Sequence, residues 1–224
     1  MKDVLIIDCG PSLSDVSTHY GVAPEWIMES LKNKGCNFTW VKPYVGDKIQ
    51  SNNADAWIIT GSPCSVYNCE AWMVNLEEEM KNIQSSQIPV LGICFGHQLI
   101  AKCFGGTVEL NPKGWELGAY PVQFTAAGKK SQLFSGMEEN AIVYESHQDS
   151  VTVLPENAIE LARNNKGNQA FMIHDNFYGV QFHPEFSWKV IKMYASIRSA
   201  EGVTVDDPSV PESTEGKLIL HNFI

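Results

Sequence analysis

Residues 89–106 constrain the fold more than any other stretch. Pro89-Val90-Leu91-Gly92-Ile93 is an apolar run of strand length, Cys94 follows it, and the residues from Gln98 to Phe104 suit a helix that Gly105-Gly106 stops. A Gly-x-Cys-x-Gly segment, here Gly92 to Gly96, between a strand and a helix is a nucleophile elbow. Its glycines allow a turn sharp enough to push the central side chain out at the carboxyl end of the strand. The helix start adds a positive field that favours thiolate over thiol. The backbone N–H of Phe95 is free to face a developing oxyanion.

The rest of the amino-terminal half repeats the strand–helix order. Val4-Leu5-Ile6-Ile7 is apolar at every position, as in a strand covered on both faces. Pro24 can open a helix that ends near Gly35, and Phe38 to Val41 reads as the next strand. Trp57 to Thr60 is another, stopped by Gly61-Ser62-Pro63. Trp72, Met73, Leu76, Met80 and Ile83 then fall at helical spacing, with Glu77, Glu78 and Glu79 between them as a solvated face. The expected class is α/β, with a mainly parallel central sheet flanked by helices. From about 107 to 183 short β-rich segments alternate with turns, which predicts a small added antiparallel section. Trp188 to Ile197 reads as a helix, 201–217 as an exposed loop, and Lys217 to Ile224 as a segment that docks back. The 224 residues are expected to form a single domain.

Composition excludes several classes. The chain carries 16 Lys+Arg against 26 Asp+Glu, a net charge of −10, and its only arginines are Arg163 and Arg198. No basic patch for nucleic acid is visible, no apolar run has membrane-spanning length, and the first residues make a poor signal peptide. A cytoplasmic protein with a small-molecule substrate is expected. Six cysteines, at 9, 36, 64, 69, 94 and 103, include no Cys-x-x-Cys pair, and no His/Asp/Glu cluster has metal-ligand spacing. Neither a metal nor another cofactor is expected.

A cysteine nucleophile needs a base. Phe182-His183-Pro184-Glu185 follows an apolar segment, and in extended chain His183 and Glu185 share a face. The carboxylate can then orient the imidazole, which completes a Cys-His-Glu set with Cys94. The two motifs, Gly92-Ile93-Cys94-Phe95-Gly96-His97-Gln98 and Gly179-Val180-Gln181-Phe182-His183-Pro184-Glu185, together with Thr60-Gly61-Ser62-Pro63, resemble the class I glutamine amidotransferase family in content and order. The likeness is strongest to stand-alone proteins related to the glutaminase part of GMP synthase, with plant γ-glutamyl peptidases nearby. It is supported more weakly by Lys113 to Gly118 and by Ser146-His147-Gln148-Asp149.

That resemblance implies a flavodoxin-like fold and a division of roles. Cys94 would attack the side-chain carboxamide of glutamine, and the backbone N–H groups of Ser62 and Phe95 would hold the oxyanion. His183 would protonate the leaving ammonia and then activate water against a γ-glutamyl thioester, and Glu185 would hold His183. Gln98, Ser146, Gln148 and Asp149 would line the glutamine pocket. Only 39 residues follow Glu185 (224 − 185), too few for a synthetase that uses the ammonia, so such a partner would be a separate chain. The same residues suit a free-standing γ-glutamyl peptide hydrolase. A non-catalytic binding module is the reading from another class, and the intact Cys94, His183 and Glu185 argue against it. His97 reads as a structural ring within the elbow, and His147 as a residue of the pocket loop.

Overall fold

The computed structural model describes residues 1–49, 54–206 and 209–224. Strand β1 (Lys2–Ile7) is apolar at successive positions because both its faces are covered. Val4 and Ile6 join one cluster, Leu5 and Ile7 another on the opposite face. After β1 come α1 (Ser14–Tyr20), α2 (Ala23–Leu31), β2 (Cys36–Val41), β3 (Ala56–Ile59), α3 (Ala71–Ile83), β4 (Val90–Ile93) and α4 (Phe95–Cys103). The second half holds β5 (Thr107–Leu110), β6 (Glu116–Pro121), β7 (Gln123–Phe124), β8 (Ile142–His147), β9 (Asp149–Val153), β10 (Ile159–Arg163), β11 (Asn168–Ile173) and β12 (Phe177–Val180). Helices α5 (Trp188–Ala200) and α6 (Lys217–Phe223) complete it.

Eight strands form one sheet in the order β2-β1-β3-β4-β12-β11-β10-β7. Pairing is parallel from β2 to β12 and antiparallel from β12 to β7. The β-rich stretch therefore does two things. One of its strands, β12, joins the main sheet parallel to β4, three more (β11, β10 and β7) extend it in antiparallel fashion, and the other four form two ribbons, β5 with β9 and β6 with β8.

One face of the parallel part packs Ile58, Leu91 and Ile93 against Ile27 and Leu31 of α2 and Ile219 and Leu220 of α6. The other packs Trp57, Ile59 and Val90 against α3 and α4. Met73, Leu76, Met80 and Ile83 are the buried stripe of α3, at the spacing of one helix face. Each fully buried large aliphatic side chain contributes roughly 1.5–3 kcal/mol. The Glu77–Glu79 run is not uniformly solvated: Glu78 is exposed, but Glu77 pairs with Lys102 of α4 at 2.5 Å.

A third cluster gathers Val16, Leu117, Tyr144, Phe186, Val190, Ile191 and Val210. It revises the expectation of an exposed loop at 201–217. Much of that segment does face solvent, and residues 207 and 208 lie outside the described residues. Val210, however, is buried, and its carbonyl accepts from Trp188 Nε1 at 2.7 Å. The Tyr144 hydroxyl accepts from the Ser213 N–H at 2.7 Å. The segment is a strap tied to the body, because an apolar side chain and two aromatic donors or acceptors are available to hold it.

Candidate active site

Strands β4 and β12 are neighbours in parallel register, with Gly92 opposite Gly179 and Ile93 opposite Val180. Their carboxyl ends therefore deliver Cys94 and the 181–185 segment to the same edge of the sheet. Cys94 has φ 52° and ψ −100°, a strained conformation for a residue with a Cβ. The packing behind it holds that strain. The Cys94 N–H donates to Val180 O at 2.9 Å, and its carbonyl accepts from the Gln98 N–H at 3.1 Å. No side chain fits at either flanking glycine: a Cβ on Gly92 would lie 2.4 Å from the Gly96 carbonyl, and one on Gly96 2.5 Å from Ile59 O. Phe95 opens α4, where a backbone N–H has no acceptor within the helix. Its side chain is buried against Trp72, with ring centroids 5.6 Å apart.

His183 is fixed from three sides. Its N–H donates to Tyr144 O at 2.8 Å, its Nδ1 lies 2.8 Å from Glu185 Oε1, and its ring stacks on Phe186 at 4.0 Å. Burial alone would lower its pKa. The Glu185 carboxylate, followed by the Cys94 sulfur, outweighs burial and pushes it up to about 10. The imidazole therefore holds its second proton through the neutral range, between a carboxylate and a sulfur. Cys94, His183 and Glu185 are 6%, 7% and 4% exposed, enclosed yet still reached from one cleft.

That cleft is lined by Gly10 to Leu13 after β1, by Gly61-Ser62-Pro63 after β3, by Ser146 of β8, and by Tyr194 and Arg198 of α5. Asp8 shapes the first loop: its Oδ1 accepts from the Gly10 N–H and its Oδ2 from Trp40 Nε1, both at 3.2 Å. Gly61 lies against the imidazole, since a Cβ there would come within 3.0 Å of His183 Cε1. Ser62 is on the cleft wall, with its hydroxyl accepting from the Cys64 N–H.

Of the four residues expected in the glutamine pocket, only Ser146 lines the cleft. Gln98 is buried on the far side of the elbow, where its Nε2 donates to Asp149 O at 2.9 Å and Gln181 Oε1 at 3.2 Å. Gln148 is exposed, and its carbonyl accepts from the Asn111 N–H. Asp149 starts β9, and its carboxylate accepts from the hydroxyls of Ser65 at 2.5 Å and Tyr67 at 3.2 Å. The three brace the loops behind the cleft. Alternation along β8 turns Ser146 to the cleft and Glu145 and His147 to the other side.

His147 illustrates the other side. It is buried, its Nδ1 donates to Asp149 O at 2.9 Å, and its Nε2 lies 3.2 Å from Glu116 Oε2 and 3.1 Å from Glu145 Oε2. These three side chains put one candidate ligand atom each within 4.8 Å of one another, which corrects the expectation that no such cluster exists. Pairing builds it, not spacing: Glu116 stands opposite His147 in the β6–β8 ladder, and Glu145 shares its face. These are the residues that could hold a cation. As they stand, burial lowers the His147 pKa, but Glu116 and Glu145 more than reverse that and raise it well above its ordinary value. Burial pushes Glu145 up to about 7 against the pull of His147. Burial would raise Glu116 too, but His147, Asn164 and Gln169 hold it down. His97 is structural: its Nε2 lies 2.9 Å from Asn168 Oδ1, and burial lowers its pKa to about 4.

Sequence reasoning passed over Gly61, Trp26, Tyr194 and Arg198. The Thr60-Gly61-Ser62-Pro63 motif could have pointed to Gly61. The other three reach the cleft only through helix packing.

A model of the family described as "Glutamine amidotransferase class-I" matches residues 6–195. The chain belongs to the class-I glutamine amidotransferase family. It is 32% identical over 149 residues to γ-glutamyl peptidase 3 of Arabidopsis thaliana, a match that covers 65% of this chain and 60% of that protein. It is 36% identical over 143 residues to a glutamine-hydrolysing GMP synthase subunit of Methanosphaera stadtmanae, covering 62% of this chain and 69% of that one. The match to the glutamine-hydrolysing GMP synthase of Wolinella succinogenes covers only 26% of that protein. In three dimensions the chain resembles a glutamine amidotransferase of Thermotoga maritima, with a TM-score of 0.79 at 20% identity over 100% of this chain and 96% of the other. Among the described residues, no helix is long and apolar enough to cross a membrane.

Proposed function

We propose that this chain hydrolyses a γ-glutamyl amide bond through Cys94, His183 and Glu185. The observation that carries the reading is one cleft holding an elbow cysteine and an imidazole whose far nitrogen is bonded to a buried carboxylate. The Cys94 sulfur attacks the γ-carbonyl carbon, and the oxyanion forms against the N–H groups of Phe95 and Ser62. The imidazolium of His183 gives its proton to the nitrogen as the C–N bond breaks, so an amine or ammonia leaves and a γ-glutamyl thioester remains. Neutral His183 then takes a proton from water, which attacks the thioester. Glutamate leaves, and the thiolate and imidazolium are restored. Glu185 stays ionised throughout and orients the ring.

Glutamine and γ-glutamyl peptides present the same bond. If glutamine is the substrate, the ammonia passes to a synthetase on another chain, a reading supported by likeness to the GMP synthase subunit of Methanosphaera stadtmanae. A γ-glutamyl peptide is the second reading. It is favoured by a cleft whose lining runs past the triad to Trp26, Tyr194 and Arg198, farther than an ammonia leaving group extends. The deciding experiment measures kcat/KM on glutamine and on a γ-glutamyl dipeptide panel, with wild type and Cys94→Ala. Loss of all turnover in Cys94→Ala is expected. Retained turnover would refute the assignment.

A further inference from the structure

Helix α5 supplies the outer wall of the cleft, and one of its residues has no part in the chemistry above. Among the described residues, Arg198 is the only lysine or arginine on the wall, and it is one of only two arginines in the chain. Its Nε is buried without a hydrogen-bond partner. The guanidinium is held in place from two other directions. Its carbon lies 5.6 Å from the Trp115 ring centroid, and Nη1 donates to Glu201 Oε2 at 2.8 Å. A guanidinium carries five N–H donors, so one that lines a cleft and gives a single hydrogen bond to Glu201 can still take a planar anion with two acceptor atoms.

The position of Arg198 identifies the end of the substrate it meets. His183 delivers the proton to the leaving nitrogen, so the leaving group lies on the His183 side of the bond. From His183 a ladder of rings runs outward. Phe186 stacks on His183 at 4.0 Å, Tyr194 stacks on Phe186 at 5.0 Å, and Arg198 stands one helical turn past Tyr194. Ammonia does not reach that far. A peptide leaving group of two or three residues does, at about 3.6 Å per extended residue, and it ends in a carboxylate.

We propose that Arg198 binds the free carboxylate of the leaving group, and that the natural substrates are γ-glutamyl peptides with an unblocked carboxyl terminus. This rests on the hydrolase reading above and names its substrate class.

The test compares γ-glutamylglycylglycine with γ-glutamylglycylglycinamide, which has no terminal carboxylate. Wild type is expected to prefer the acid by roughly 10- to 100-fold in kcat/KM, mostly through KM, the range of a charge-assisted hydrogen bond. In Arg198→Gln the acid-to-amide ratio should collapse to about one, with Arg198→Lys intermediate. Glu201 competes for the same guanidinium and is 52% exposed. Glu201→Gln should therefore raise kcat/KM for the acid by a few-fold, a gain that a folding defect cannot produce. An unchanged ratio in Arg198→Gln overturns the proposal, as does an equal loss on acid, amide and glutamine. Titration of Cys94→Ala with γ-glutamylglycylglycine separates this from the chemistry. Arg198-dependent binding there upholds the subsite even if wild type turns nothing over, and binding indifferent to Arg198 removes the subsite while leaving hydrolysis to stand on its own assay.

Discussion

Glu185→Gln keeps the shape of the side chain and removes its charge. Burial works against the His183 imidazolium, yet its pKa stands at about 10 rather than 6.5, with Glu185 the foremost of the groups that raise it. A rise of that size favours the imidazolium by ~5 kcal/mol, at ~1.4 kcal/mol per unit. Neutralising Glu185 should bring the alkaline limb of kcat/KM down by about two units. The loss of ring orientation should lower kcat/KM near neutrality by about a thousandfold. The same group links folding to pH. Its folded pKa is raised, so its stabilisation is fully present below pH 6.5 and is lost as pH rises through about 10. The stability gap between wild type and Glu185→Gln should therefore be widest below pH 6.5 and narrow toward pH 10. Two measurements suffice: kcat/KM against pH for both proteins on one γ-glutamyl substrate, and urea denaturation at several pH values. An alkaline limb that moves by less than about half a unit would refute the assignment of Glu185 as the group that holds the proton on His183.

Three other outcomes are expected. Gly96→Ala puts a Cβ 2.5 Å from Ile59 O and should destabilise the protein by about 3 kcal/mol; an unaltered Tm would contradict the packing of the elbow. His97 has its pKa lowered to about 4. The unfolded chain therefore takes a proton below pH 6.5 that the folded chain refuses, and stability should fall by up to ~3 kcal/mol between pH 6.5 and 4. His97→Gln should flatten that part of the acid profile, and an identical slope would argue against a neutral buried ring. Tyr144→Phe removes the hydroxyl that accepts from the Ser213 N–H and donates to Ser213 O. It should cost about 1 kcal/mol and speed proteolysis within 201–216, and equal cleavage rates would show that the strap is held elsewhere.

Cys94, His183 and Glu185 were legible because local geometry leaves few options. Two glycines around a cysteine after a strand can only form a sharp turn, and a His-x-Glu in extended chain can only share a face. Gln98 and Asp149 were misplaced for the opposite reason. Their direction depends on which side of α4 meets β9 and on the register of β8, and neither is local. The Glu116–His147 pairing crosses 31 positions (147 − 116) through an antiparallel ladder, so no spacing rule finds it. Arg198 reads in sequence as one more charge near the end of a helix. Only the packing of α5 over the carboxyl ends of the strands turns it into part of the cleft. The antiparallel section was seen as texture, and its continuity with the main sheet is a property of the β11–β12 pairing.

The separation of thiol and imidazole is inherited from the spacing of two adjacent strands. β4 and β12 are far apart along the chain but pair directly, and parallel neighbours sit about 4.8 Å apart whatever joins them. The connection between them can therefore vary in length, provided that this ladder zips and the elbow, Tyr144 and Ser146 keep their places. A chain severed in the connection between β7 and β8 would place one of these strands in each fragment. Mixing the two fragments should restore activity at the rate at which β4 and β12 find each other, which makes turnover itself a reporter of strand association.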